Sequence, residues 1–341
     1  MAALARWVDA PPHEWETLLR QDLGATPLHR PEVVRALVEP VAGWTASFLV
    51  VEEGDGSLIG GVPVVFERRF ALEWLRAMPF TLPGAPVARA SAHPLVDRLV
   101  ADALDARAKE RRIVGGEWVL FRPEGPAVDP SAIAQLAGET RVTETDVVDL
   151  SEGASVAYRR VQRRTRESIA AAIARGLRCA EEPEALDEIY ALYTLQARAW
   201  AGHRPKPVAV LRRLLSGATP GARLFTVRDD RGILSGALAL VGEHEWMLWW
   251  SGSHPDARRH HGFATLVWSM IESAARAGAR RFNLGGSAGM DNVASFKKAM
   301  GARAVAVPIR WIGSDYAPPW GKAVAAIQRR RYAARWRGAP A

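Results

Sequence analysis

Cysteine is almost missing from this chain. Cys179 stands alone among 341 residues, so no internal disulfide can form and a reducing compartment is expected. Long apolar runs are missing too; nothing approaches the ~18 residues that a membrane-spanning helix needs. Met1 to Glu16 lacks the basic start and apolar stretch of a signal peptide. The expectation is a cytoplasmic protein. No His/Cys cluster has zinc-ligand spacing, and neither a G-x-S-x-G elbow nor a Walker loop occurs, so no metal is expected.

Acidic residues become scarce after residue 150. Residues 1–150 carry 15 Lys and Arg against 22 Asp and Glu, whereas 151–341 carry 30 against 15. Arginine enrichment by coding bias would touch both halves, and only one is basic. That asymmetry points to an anionic partner of the second half. The length suits two domains rather than one core, and 48% hydrophobic with 24% charged residues suits a folded soluble chain.

What is present centres on Asp256 to Arg303. Glu245 to Ser251 reads as a strand, and Arg259-His-His-Gly262-Phe-Ala264 forms an R-x-x-G-x-A turn. Phe263, Leu266, Val267, Met270, Ile271 and Ala274 then recur at helical spacing, with Gly278 as a stop. Arg281 to Leu284 reads as the next strand. Gly262 lets backbone approach a ligand, and the first helical turn offers unpaired N–H groups to an anion. Arg258 and Arg259 add charge there. A plain tight turn is the alternative reading of the same residues. Gly285 and Gly286 end the second strand, and Phe296-Lys297-Lys298 follows on a segment stopped by Gly301.

The R-x-x-G-x-A turn resembles the acyl-CoA pyrophosphate loop of GNAT-type N-acetyltransferases. The run N-L-G-G-S followed by F-K-K-x-x-G-A is similar to the FemAB-like family, whose members contain two GNAT-like domains. That family includes aminoacyltransferases extending peptidoglycan cross-bridges and other acyltransferases. Arg163 to Ile169 through Gly176 resembles the basic helix that opens the family's second domain. Met78-Pro-Phe80 and Gly84 to Val87 carry a weaker likeness in the first half. The resemblance implies an α/β (α+β) chain of two tandem GNAT-like domains, each a mixed, mostly antiparallel sheet flanked by helices.

Taken in order, the chain predicts helices over His13–Asp22 and Pro31–Val38 and strands over Trp44–Glu53 and Ser57–Glu67. A hairpin turn lies at Glu53-Gly-Asp-Gly56. Leu95–Arg111 reads as an exposed helix and Glu117–Phe121 as a strand. Asp129–Glu152 is acidic and polar and reads as the domain link. Ser155–Gly176 reads as one helix with Arg159, Arg160, Arg163, Arg164 and Arg166 on its polar side. Helices at Glu184–Trp200 and Val210–Leu215 and strands at Arg223–Arg228 and Ile233–Val241 lead into the central stretch. Hairpin, strand, helix and strand thus occur twice, which an internal duplication explains. The first copy has Ala85 to His93 where the second has the glycine turn. The expected domains are residues 1–150 (acceptor side), 151–315 (donor side) and a basic tail, 316–341. The tail carries Arg329, Arg330, Arg331 and Arg335 and allows peripheral membrane contact.

Amide formation from a thioester or ester needs a neutral amine, a route for its proton, and donors for the oxyanion. The resemblance implies that the acyl group enters between the strands at 245–251 and 281–284. Glu243, His244, Glu245 and His254 bracket the first of these and are the candidate bases, His254 lying nearest the turn. The F-K match makes Lys297 the candidate for donor binding or oxyanion stabilisation. Arg258, Arg259, Gly262, Phe263, Ala264, Asn292 and Phe296 complete the candidate donor-binding set. Three readings stand: an acyl-CoA-dependent N-acyltransferase acting on a small-molecule or peptide amine, an aminoacyl-tRNA-dependent transferase acting on a peptidoglycan precursor or small peptide, and a non-enzymatic nucleic-acid-binding module. The last would leave the glycine turn and F-K-K without use.

Overall fold

The computed structural model describes residues 3–69, 71–198, 205–217, 219–287, 289–324 and 326. The chain starts with β1 (Leu4–Val8), α1 (Glu14–Gln21) and α2 (Pro31–Val38), the last opened by Pro31, whose missing N–H would be unpaired there anyway. β2 (Trp44–Glu52) and β3 (Leu58–Arg69) form the hairpin. β4 (Leu72–Ala77), β5 (Val87–Ala88), α3 (His93–Glu110), β6 (Gly116–Val119) and α4 (Pro130–Ala134) follow. After β7 (Gly138–Asp149) come α5 (Ala154–Arg160), α6 (Arg163–Ala174), β8 (Arg178–Glu181), α7 (Leu186–Ala197) and α8 (Val208–Leu215). β9 (Ala222–Asp229), β10 (Gly232–Val241), β11 (Glu245–Ser253), α9 (Gly262–Arg276), β12 (Arg281–Asn283), α10 (Asp291–Ala299) and β13 (Arg303–Ile312) complete the order.

Two units result. The described residues up to Thr143, with those from Ala306 onward, form the first; Glu144–Val305 forms the second. The divisions therefore differ from those expected at 150 and 315. Strand pairing is the reason: Ile309–Ile312 of β13 bonds to β6, and Val147–Asp149 of β7 bonds to β12. In the first unit the strands run β1-β2-β3-β4-β6-β13, with β5 on β3. In the second they run β7-β12-β11-β10-β9-β8. Each sheet is antiparallel except for one parallel pair, β4 with β6 and β11 with β12. Hairpin, strand, helix and strand return in both units, as expected.

The elements of the second unit show why the pattern folds as it does. Leu266, Val267, Met270, Ile271 and Ala274 make the buried stripe of α9, with Trp246 and Phe282 beneath them and α5 and α6 beside them. On the opposite face α7 lies so close that a Cβ at Gly236 would stand 2.4 Å from Ile189. Glycine there is a packing requirement.

Three expectations are corrected. Leu95–Arg111 is not an exposed helix: Val96, Val100, Leu104 and Ala108 of α3, one stripe at four-residue spacing, are fully buried against the first sheet. Ser155–Gly176 is two helices, because Val161 leaves helical geometry and Gln162 N–H bonds to Ala299 O, docking the end of α10. The polar stretch 129–152 contains the whole of β7, exposed over its first half and buried over its last. The arginine-rich tail from 327 onward, Trp200 and part of the 201–207 loop lie outside the described residues.

Under the first sheet lies a buried polar network. Arg122 donates to both oxygens of Asp97, at 2.5 and 3.2 Å, with both side chains almost fully buried. Thr26 N–H donates to His29 Nδ1, so the proton of the neutral ring sits on Nε2 and is donated to Ala85 O. Desolvation lowers the affinity of His29 and His93 for a proton. The unfolded chain therefore binds protons that the folded chain refuses, starting near the ordinary histidine value of about 6.5. The histidine contribution is complete above that pH and is lost as pH falls below it. We expect the Tm to stay level from pH 8 to 7 and decline below ~6.5, with a smaller decline in His29→Gln. A Tm that holds level from pH 7 to 5.5 would contradict this.

Candidate active site

β11 and β12 are paired at one end only. The parallel register covers Glu245 to Met247 against Arg281 to Asn283 and stops there. Beyond it, Leu284 N–H bonds to Asp146 O and Asp146 N–H to Gly285 O, so the chain after β12 follows β7 instead. β11 continues to Ser253 alongside β10. The edge of β11 from Leu248 onward thus parts from β12, where the family resemblance implies an acyl group would enter. Gly285, at φ +73°, turns the chain at this point.

Beside the parting strands a polar chain joins the expected Lys297 and Glu245 to Asp146, Asn283, Thr145 and Ser287, which the sequence reading did not single out. Lys297 Nζ donates to Gly285 O at 2.6 Å and pairs with Asp146 Oδ2 at 3.3 Å. Ser287 Oγ donates to the same carboxylate oxygen at 2.8 Å. Asn283 Oδ1 accepts from Gly285 N–H and Thr145 Oγ, both at 2.8 Å, while its amide faces Glu245 Oε1 at 3.4 Å. Burial lowers the Lys297 proton affinity, and Asp146 opposes that shift. An ammonium has three N–H donors, and among the described residues two are engaged here. Asn283 and Ser287 stand in the N-L-G-G-S run, so a signal for them existed. Asp146 had none, because it lies in the stretch taken for a polar link.

The glycine turn is built by a short 3₁₀ segment, Pro255–Arg258, and by His261 in left-handed geometry just before α9. Arg258 and Arg259 are exposed, and neither forms an ion pair among the described residues. Gly262 is buried, where a Cβ would meet Leu234 and Ala257 O at 3.4 to 3.5 Å. The Phe263 and Phe296 rings lie 5.4 Å apart, which brings the turn and the F-K-K segment together. Ala264 is half-buried one residue on. Asn292 is exposed one helical turn before Phe296.

The candidate bases separate. His254 is exposed beside the turn, and its Nδ1 accepts from Asp256 N–H at 3.2 Å. Glu245 stands at the other end of β11, nine residues and roughly 30 Å away at ~3.3 Å per residue, with Glu243 and His244 in the turn before it. Glu245 is fully buried, and Arg281 Nε donates to it at 2.8 Å. Burial raises its carboxyl above the ordinary range and Arg281 opposes that shift.

In the first unit the corresponding space is filled by the chain itself. β4 and β6 pair at Leu75 and Gly116, and beyond that point Pro83 bridges to Val119 in parallel. Gly84 N–H donates to Val119 O at 2.8 Å, and Trp118 Nε1 donates to Gly84 O at 2.6 Å. Among the described residues, Pro83 and Gly84 thus occupy the edge of β6 beyond its pairing with β4.

Comparisons with known proteins agree with this fold. Residues 157–298 match the family model of the acetyltransferase (GNAT) domain. The structure of FemX is similar at 12% identity, with 89% of this chain and 96% of that one covered and a TM-score of 0.70. A tandem GNAT protein from the clavulanic acid biosynthesis pathway matches at 14% identity over 90% and 97%, TM-score 0.52. L-PGS from Bacillus licheniformis matches at 14% over 95% and 98%, TM-score 0.52. At these identities the likeness is one of fold. No curated protein matches the chain.

The position of Glu245 gives a test. Removing one partner of a buried ion pair strands the other, at a cost of about 3–5 kcal/mol. Glu245→Ala should show that loss in urea unfolding, because Arg281 then stays buried without its carboxylate. Unchanged stability with lost turnover would return Glu245 to the candidate bases.

Proposed function

We propose that this chain, which has the double-GNAT fold of FemAB-like proteins, is an N-acyltransferase that moves an acyl group from acyl-CoA to an amine. The parting of β11 from β12 beside the R-x-x-G-x-A turn carries this reading, since it offers a slot for the acyl arm next to a site for its phosphates. The first-turn amides of α9 and the two exposed arginines suit a pyrophosphate. The Phe263 and Phe296 pair offers an apolar surface to the rest of the donor. The occupation of the corresponding β6 edge by Pro83 and Gly84 in the first unit supports one donor per chain.

In this reading the amine nitrogen attacks the thioester carbonyl, and the C–S bond breaks as the amide forms. The carbonyl oxygen becomes negative in between. Lys297, fixed by Gly285 O and Asp146, directs its third N–H to that oxygen. The amine proton passes to water and the thiolate leaves; His254, six residues past Leu248 and so roughly 20 Å along the strand, stands at the turn rather than beside Lys297 and Gly285. Glu245 takes no part beyond holding Arg281.

An aminoacyl-tRNA donor is the second reading, favoured by the basic second half. The structure weakens it: Arg160 is held by Asp149 and Glu152, Arg163 by Glu167, and Arg166 by the Arg159 and Val161 carbonyls. A tRNA would contact a wide surface and its binding would fall steeply with salt.

The deciding measurement is which of CoA and charged tRNA raises the Tm. We expect CoA alone to do so, and a shift by tRNA alone would hand the assignment to the second reading. Arg258→Gln with Arg259→Gln should weaken CoA binding roughly tenfold or more without lowering the Tm of the free protein. Replacing Arg160, Arg163 and Arg164 together by Gln should change donor KM less than about threefold. Lys297→Ala should slow turnover roughly 10²-fold or more, and normal kinetics would remove it from the mechanism.

A further inference from the structure

A lysine on the other face of the second sheet is held more firmly than packing requires. Lys206 lies between Pro205 and Pro207, whose rings restrict the backbone on both sides. Tyr190 O–H donates to its carbonyl at 2.9 Å, and its own N–H donates to Tyr193 Oη at 3.1 Å. Those tyrosines are three residues apart on one face of α7.

The ammonium is carried to β11. Lys206 Nζ stands 5.4 Å from the centroid of the Trp249 ring. Leu238 pairs with Trp250 and Ala239 with Leu248, so Trp249 is the extra residue of a β-bulge. It lies two positions past Met247, where pairing with β12 ends. Bulges of this kind re-aim side chains beside ligand sites. Trp250 stacks on Tyr190 and meets Tyr193 edge-on. It is 2% exposed, and its indole N–H has no acceptor among the described residues.

No carboxylate of the described residues pairs with Lys206. Of the described residues, the Trp249 indole is the group against its ammonium, while the two phenols of α7 hold its backbone. On α8, Arg212 bonds to Asp187 and Arg213 to Ser216 instead. A desolvated cation and a buried unpaired N–H both cost free energy unless a ligand meets them.

We propose that Lys206 binds a carboxylate carried by a substrate, belonging either to an amino-acid or peptide acceptor or to a dicarboxylic acyl chain. This rests on the acyl-transfer reading. Burial pushes Lys206 down to about 8, so carboxylate binding weakens as pH rises through that value, when the free amine loses its charge.

The test uses the full chain and two matched series. Acceptors are β-alanine against propylamine and glycylglycine against glycine methylamide; donors are succinyl-CoA against butyryl-CoA. In one series the carboxylate-bearing member should have kcat/KM at least about tenfold higher, a preference that fades above pH 8. Lys206→Met should erase it and Lys206→Arg should retain part of it. The series showing the preference identifies whether amine or acyl chain carries the carboxylate. A structural lysine would instead slow both members alike. A Lys206→Met enzyme that keeps the preference within twofold, or a wild type with none in either series, overturns the proposal. If the wild type turns over no pair, the acyl-transfer reading fails and the site is judged by binding. The Lys206 resonance in 15N-lysine-labelled protein, assigned by its loss in Lys206→Met, must move with N-acetylglycine and not with N-acetylglycine methylamide. A resonance that ignores the carboxylate overturns the site itself.

Discussion

The second unit depends on two parallel strands that are tied at one end and parted at the other. At the tied end Glu245 and Arg281 face each other on neighbouring strands, both buried. Such a pair is weak as a source of stability, because desolvation offsets most of its attraction. Its use here is positional. A slip of either strand by one residue would move one charge to the other face and strand its partner. At the other end the backbone bonds of Leu284 and Gly285 to Asp146 draw the chain after β12 away. Asn283 joins the two ends, reaching Glu245 with its amide and Gly285 N–H with its oxygen. The opening is therefore specified by hydrogen bonds already satisfied without a ligand, so it need not be made at the moment of binding.

The two units show how one strand order supports different ends. Both have a parallel pair followed across a helix. In the second the connection between strand and helix is short, residues 254–261, and runs directly into α9. In the first it is residues 78–92, long enough to double back and pair with both β6 and β3. The inserted chain satisfies the edge that the second unit leaves open, and Trp118 locks it through Gly84 O. The occupied edge thus follows from a longer connection and needs no change in the sheet.

How much of this was legible follows from the physics of each element. The helix at 262–276 was plain, because five apolar residues at helical spacing face a single core. The Glu53 to Gly56 hairpin was plain for a local reason, its turn residues. β7 was hidden because its exposed half, Glu139 to Glu144, looks like a linker in isolation; only the pairing of its buried half identifies it. The break at Val161 carries no glycine or proline, and its cause lies about 140 residues away in the end of α10. In the site, the motif residues were legible by type. The roles of Asp146 and Lys206 were not, because each depends on partners brought from distant segments.

Net charge illustrates the same limit. The excess of arginine after residue 150 reads as a surface for a polyanion when counted along the sequence. In the fold Arg160, Arg163 and Arg166 are occupied by carboxylates or carbonyls of their own unit, whereas Arg258 and Arg259 at the turn have no such partners among the described residues. Charges already paired contribute little to a distant ligand once salt screens them over about 10 Å. At the turn itself two arginines and one helix start stand together, with Lys297 held by Asp146 on the next segment.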